Sequence, residues 1–145
     1  MSRPPSFVLD DFLPYRMAVA AERLSVEFSR NYAKAFGLSI PEWRVLVHLM
    51  QTGEISVRDI EQRAGLEKSK VSRAVSRLES AGYVTKAVNP GDRRLVRLGL
   101  TEKGWALMGQ LVPLAIEHQK RLETKLGDDL GPLITTLKRL EEEEF

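Results

Sequence analysis

The 145-residue chain contains no cysteine. That excludes a disulfide framework, a thiolate metal site, a cysteine nucleophile and a thiol redox switch. Its two histidines, His48 and His118, lie far apart in sequence, so no His-rich metal site is expected. Long apolar runs are missing as well. The longest, Leu111 to Ile116, is interrupted by Pro113 and falls far short of the ~18 residues of a membrane span. The N-terminus, MSRPPSFVLDDF, has prolines and acids where a signal peptide carries an apolar core, so a cytoplasmic protein is expected. Catalytic signatures are absent: there is no G-x-S-x-G, no H-E-x-x-H and no Rossmann glycine pattern. Gly99 and Gly104 have phosphate-loop spacing, but Trp105 stands where that motif requires lysine. Glu117 and Arg121 have the spacing of a helical ion pair, not of an acid/base couple. Neither enzymatic activity nor a cofactor is expected. The length also excludes a (β/α)₈ barrel, which needs about 250 residues.

What remains is the balance of an ordinary globular protein, 43% apolar and 29% charged. The net charge of +2 hides an asymmetry. Residues 1–57 hold six basic and six acidic side chains, residues 58–97 ten and five, and residues 98–145 six and nine. The middle third is therefore where an anionic partner is to be sought.

Apolar spacing and caps divide the chain into elements. Asp11 is placed to cap a helix running to about residue 36, with Pro14 in its first turn and Leu13, Met17, Ala20, Leu24, Phe28, Tyr32 and Ala35 on one face. Gly37 suits its end. Ser39-Ile40-Pro41-Glu42 is a capping box, and the helix behind it is expected to turn Trp43, Leu46, Val47 and Met50 inward. Ser56 caps a short helix closed by Gly65. The next helix spans about residues 68–81, with Val71, Ala74, Val75 and Leu78 inward and Gly82 as its stop. Residues 83–88 are strand-like, Asn89-Pro90-Gly91-Asp92 is turn chemistry, and Val96, Leu98 and Leu100 alternate with period two, which makes a β-hairpin. Thr101 caps a long helix with Trp105, Met108, Leu111, Val112, Ala115, Leu122 and Leu126 expected inside and a kink expected at Pro113. Asp128 or Asp129 restarts a last helix with Leu130, Leu133, Ile134, Leu137 and Leu140 on its apolar face.

Three short helices followed by a hairpin is winged helix-turn-helix order. The 68–81 helix carries the information. Its outward face is Ser69, Lys70, Ser72, Arg73, Ser76, Arg77 and Ser80, with no acid between Lys68 and Leu78. Small hydroxyl residues permit close approach to a major groove, while Arg and Lys reach base edges and phosphates. An ordinary surface helix would mix in acids at i,i+4 to pair its cations. In the hairpin turn, Arg93 and Arg94 suit a narrow minor groove. Asp92 either orients one of those arginines by a charge-assisted hydrogen bond or simply belongs to the turn.

The segment Leu66-Glu67-Lys68-Ser69-Lys70-Val71-Ser72-Arg73-Ala74-Val75-Ser76-Arg77-Leu78-Glu79-Ser80-Ala81-Gly82-Tyr83-Val84 resembles the recognition-helix segment of MarR-type (multiple antibiotic resistance regulator) transcriptional regulators. Asp92-Arg93-Arg94 and Leu100-Thr101-Glu102-Lys103-Gly104 resemble that family's wing and the start of its following helix. Glu67 stands where the family often has Asp or Ser, and Glu is a poorer N-cap.

The resemblance implies a mainly α fold with a small β-hairpin wing (α+β): a DNA-binding lobe over residues 38–100, and helices over 1–37 and 101–145 that intertwine in a homodimer. The broad apolar faces of the terminal helices agree with such pairing, since a monomer would leave a large apolar patch exposed. The implied function is a homodimeric, sequence-specific regulator of a pseudo-palindromic double-stranded operator, a repressor released by a small aromatic or anionic effector. Expected DNA contacts are Ser56, Lys68, Ser69, Lys70, Ser72, Arg73, Ser76, Arg77, Arg93 and Arg94, with Asp92 orienting the wing. Candidates for an effector pocket are Phe12, Tyr15 and Arg16 with Trp43, Arg44, Val47 and His48, because rings beside a cation hold aromatic carboxylates. The plainer reading makes Trp43 and Val47 core residues and His48 a structural histidine. The alternative function is a winged-helix protein–protein interaction module without specific DNA binding. Such a module should carry aromatic or apolar residues where this chain has its basic face.

Overall fold

The computed structural model describes residues 1–144, without the side chains of Asn89, Arg93, Arg94 and Leu95. The order is α1 (Leu13–Ser29), α2 (Ala33–Phe36), α3 (Ile40–Thr52), β1 (Ile55–Ser56), α4 (Val57–Ala64), α5 (Lys68–Ser80), β2 (Val84–Asn89), β3 (Asp92–Leu100), α6 (Glu102–Leu126) and α7 (Leu130–Glu142). Two compact units result, Met1–Met108 and Gly109–Phe145.

In the first unit, α3, α4 and α5 pack together and the three strands form an antiparallel sheet in the order β1-β3-β2. The hairpin is present as expected. β1 is an addition: Ile55 pairs with Leu98 and Ser56 with Arg97, which fastens the start of α4 to the wing. The core consists of Val45, Leu46 and Leu49 from α3, Ile60 from α4, Val71, Val75 and Leu78 from α5, and Val84 and Leu98 from the sheet. The second unit comprises the rest of α6, a 3-10 turn at Gly127–Asp129, and α7, on which Leu133 and Ile134 are exposed.

The capping box forms as the sequence demands, with both reciprocal hydrogen bonds between Ser39 and Glu42. Five expectations need correction. The first helix does not run unbroken to residue 36. The Asn31 side chain donates to the Phe28 carbonyl (3.0 Å) and Ser29 Oγ to the Val26 carbonyl (2.6 Å), and Asn31 and Tyr32 amides take short i−3 bonds. Side chains competing for helix carbonyls end α1 at Ser29. Asp11 belongs to a preceding 3-10 turn, so Phe12 is the N-cap of α1. On α3 the fully buried face is Val45, Leu46 and Leu49, one position off the expected phase; Trp43, Val47 and Met50 are only half-buried. On α6, Trp105 is 51% exposed, because the buried stripe runs through Gly104, Leu107, Met108 and Leu111. At the last restart, neither Asp128 nor Asp129 caps α7 through its side chain; the 3-10 turn runs directly into it.

Candidate nucleic-acid interface

Short-range chemistry sets the geometry of the helix-turn-helix. Ser56 Oγ accepts the Asp59 N–H (3.1 Å) and starts α4. Gly65, at φ +62°, closes it in a left-handed conformation that a side chain would disfavour. α5 then begins at Lys68 behind Glu67, whose side chain makes no capping bond. The Lys70 N–H donates to the Glu67 carbonyl at 3.0 Å, and no side-chain cap covers the Lys68 and Ser69 N–H groups before it.

α5 divides cleanly. Val71, Ala74, Val75 and Leu78 are buried, between 0% and 3% exposed. Lys68, Ser69, Lys70, Ser72, Arg73, Ser76 and Arg77 are all exposed. Among the described residues, none of the four cations on this face has an ion-pair partner. The acid that closes the face, Glu79, is turned away from it toward Lys86 on β2, at 3.8 Å. The structure thus presents seven of the expected contact residues on one helix surface. Ser56 is half-buried on β1, its hydroxyl engaged as a cap.

In the wing, Asp92 starts β3, is half-buried and pairs in register with Asn89. Arg93 and Arg94 follow it on the strand; their side chains lie outside the described residues. Two exposed cations escaped the sequence reading. Arg63 in the last turn of α4 and Arg97 on β3 line a concavity of about 350 Å³ with Thr52, Glu54, Ile55, Ser56 and Asp59. The signal for Arg97 was available, since it precedes buried Leu98 in a strand of period two.

The seven effector candidates lie on α3 (Trp43, Arg44, Val47 and His48), on α1 (Tyr15 and Arg16) and just before α1 (Phe12). Tyr15 and Arg16 line a concavity of about 470 Å³ along α1 with Asp10, Val19, Ala20 and Arg23. Phe12 meets Phe7 edge to face, with centroids 5.2 Å apart. Trp43 stacks on Tyr32 (5.6 Å) and meets Phe28 edge to face (5.1 Å), which is a packing role. Arg44 Nη2 donates to Ser25 Oγ (3.4 Å), and His48 Nδ1 lies 2.6 Å from the Arg44 carbonyl oxygen. Val47 is half-buried on the same helix. Burial pushes the Tyr32 phenol up to about 12, against the opposing pull of the Arg44 guanidinium. No group of three or more metal-ligating side chains occurs among the described residues. Nor is any described helix long and apolar enough to cross a membrane.

A tri-helical core, a basic second helix of the helix-turn-helix and a two-stranded wing define the winged helix-turn-helix class of DNA-binding proteins. Residues 36–95 match the profile of the MarR family. Over 93% of its length the chain resembles a MarR family transcriptional regulator from Silicibacter pomeroyi DSS-3, at 31% identity and TM-score 0.76, covering 99% of that structure. It is 33% identical to the HTH-type transcriptional repressor IacR of Pseudomonas putida over 68% of this chain, spanning 58% of that relative's length. Its fold also matches NadR in complex with 4-hydroxyphenylacetate, at 24% identity and TM-score 0.77, over 97% of this chain and 100% of that one. The chain belongs to the MarR family and is a DNA-binding transcriptional regulator, in a family of regulators and not of enzymes.

Proposed function

We propose that the chain acts as a homodimeric repressor that reads a pseudo-palindromic operator with the outward face of α5 and is released by a small aromatic carboxylate. The observation that carries this is the exposed basic face from Lys68 to Arg77, free of ion pairs among the described residues. Arg73 and Arg77 are the side chains to reach base edges; Lys68 and Lys70, with the serines between them, hold the backbone. Arg93 and Arg94 serve the minor groove, with Asp92 orienting the wing. Ser56 acts in this reading by fixing the start of α4.

Pairing is supported by apolar surface that a monomer leaves in water. Phe12, Leu13, Tyr15, Val19, Leu24 and Val26 of the α1 region are each at least 40% exposed. In the second unit, Ile116, Leu133 and Ile134 are exposed to a similar degree. Two copies place two α5 helices about one DNA turn apart, ~34–36 Å, on successive major-groove faces. The effector reading rests on Tyr15 and Arg16, which share a concavity with a second cation, Arg23. A ring beside guanidinium groups suits an aromatic acid, and NadR was solved with 4-hydroxyphenylacetate. Phe12, Trp43, Arg44, Val47 and His48 lie outside that concavity and support the surrounding packing.

The test is fluorescence anisotropy with duplex from the protein's own promoter region beside scrambled duplex, at two salt concentrations. Tight binding with a sequence preference, weakened by 4-hydroxyphenylacetate or a related acid, is expected. Equal binding to both duplexes that vanishes as salt rises would reduce the reading to electrostatic attraction.

A further inference from the structure

We propose that Lys103, together with Thr101, is a positioning residue for DNA recognition: it clamps the C-terminal end of the recognition helix to the first turn of α6 without touching DNA itself. The proposal rests on the reading that α5 reads DNA. A helix leaves its last carbonyls without partners inside it. Beyond α5, the Ala81, Gly82 and Tyr83 amides fold back to Arg77, Glu79 and Leu78 carbonyls. The three carbonyls of residues 81–83 remain, and the start of α6 takes each of them. Lys103 Nζ donates to the Ala81 carbonyl at 2.6 Å. Thr101 Oγ1 donates to the Gly82 carbonyl at 2.6 Å, and the Thr101 N–H to the Tyr83 carbonyl at 3.0 Å.

The same Thr101 hydroxyl accepts the Gly104 N–H at 3.0 Å, so one oxygen atom helps end the recognition segment and begin α6. Lys103 Nζ also stands 4.7 Å from the Tyr83 ring centroid. Gly104 completes the junction, because a Cβ there would run into the Tyr83 carbonyl oxygen. Segment 81–83 is thus held from several directions by segment 101–104. The Lys103 bond is charge-assisted and short, the stronger kind of hydrogen bond. α5 cannot turn about its axis or tilt from α6 without breaking it. Arg77 sits one turn upstream, and its own carbonyl anchors the Ala81 amide. Base readout tolerates little displacement, so the orientation of Arg73 and Arg77 depends on this junction.

A clamp and a phosphate contact differ in their salt signatures. The probes are a duplex selected by the unmodified protein from a random library and a scrambled duplex, titrated at several salt concentrations with Lys103→Met and Lys103→Arg. With Lys103→Met, affinity for the selected duplex should fall about tenfold while scrambled affinity and the salt slope stay unchanged, and Lys103→Arg should recover part of the loss. A slope shallower by about one, with both duplexes weakened, would make Lys103 a phosphate contact and overturn the proposal. Unchanged affinity for the selected duplex would overturn it too. Amide hydrogen exchange supplies the independent readout: Lys103→Met should speed exchange at Ala81, Gly82 and Tyr83 with the global unfolding midpoint retained. Should the unmodified protein show no sequence preference, the recognition role falls with the function it serves. Unaltered exchange at those three amides would refute the clamp itself.

Discussion

The carboxylate of Glu42 accepts both the backbone N–H (2.9 Å) and the hydroxyl (2.6 Å) of Ser39, while the Glu42 amide donates to Ser39 Oγ at 3.3 Å. Glu42 is only 4% exposed, so this is a charged group held in the interior by the residue that caps its helix. Ser39→Ala removes the hydroxyl bonds and leaves the carboxylate with the backbone N–H alone. The expected loss is about 1–2 kcal/mol of stability, read as a lower urea midpoint with an unchanged m-value. Ser39→Thr, which keeps the hydroxyl, should lose far less. Equal midpoints for Ser39→Ala and the unmodified protein would show that the box contributes nothing.

Two glycines on α6 separate close contact from helix propensity. At Gly104 an added Cβ meets the Tyr83 carbonyl oxygen, which is backbone and cannot swing aside. Gly104→Ala should therefore destabilise by about 1–3 kcal/mol. At Gly109 an added Cβ meets nothing within 4 Å. Gly109→Ala should stabilise by roughly 0.5–1 kcal/mol, since alanine is the better helix former. Thermal unfolding of the two variants should move the midpoint in opposite directions; a shift of the same sign in both would contradict the Tyr83 contact.

The contrast between what is local and what is not explains how far the sequence could be followed. The Ser39–Glu42 box, the Ser56 cap and the Gly65 turn depend on a few neighbouring residues, and all were legible. So was the division of α5, because its aliphatic and basic residues never mix on one face. The phase of α3 was not. Thirteen residues carrying Trp43, Val45, Leu46, Val47, Leu49 and Met50 are apolar on most sides, and only the partners decide which side is deepest. α4 and α5 pack on α3, whose Val45, Leu46 and Leu49 are buried, while Phe28 and Tyr32 take the Trp43 ring. β1 was invisible for a related reason: two residues have no periodicity, and Ile55 pairs with Leu98 far along the chain. At the interface, composition named the α5 face and the period of β3 placed Arg97 outward, whereas the concavity that Arg63 and Arg97 share came into view only when β1 set Ser56 beside β3. Among the effector candidates, the Trp43 ring is engaged by Phe28 and Tyr32, a contact between separate helices that spacing along the chain does not reveal.

Arg73 and Lys68 should respond differently to removal. Arg73 projects from the middle of the exposed face of α5, the place for a base contact, so Arg73→Ala should cost ~1–3 kcal/mol on the selected duplex and relax preference at one or two base positions. Lys68 opens the helix, where phosphates are met. Lys68→Ala should weaken selected and scrambled duplexes alike and make the salt slope shallower by about one. In the wing, Arg94→Ala should also give a shallower slope. Salt titrations of the three variants on both duplexes decide each assignment: an Arg73→Ala variant that loses affinity equally on every sequence would make Arg73 a phosphate contact.

Tyr32 gives the protein a pH dependence far from neutrality. Its ring is 1% exposed, packed on Trp43 and Phe28, and burial raises the phenol from about 10 to about 12. Burial disfavours the phenolate, so the folded state keeps the proton at a pH where the unfolded chain has released it. Between about pH 10 and 12 the native state binds more protons than the unfolded state, and the unfolding free energy must fall as pH rises. Below pH 10 the contribution is complete and flat. The informative quantity is a difference between two variants that share every other ionisable group. Tyr32→Phe keeps the ring contacts and removes the ionisable group. Urea unfolding at pH 9, 10 and 11 should show the unmodified protein losing stability relative to Tyr32→Phe as pH increases. Parallel curves over that range would mean that the phenol reaches water as readily in the folded protein as in the unfolded one.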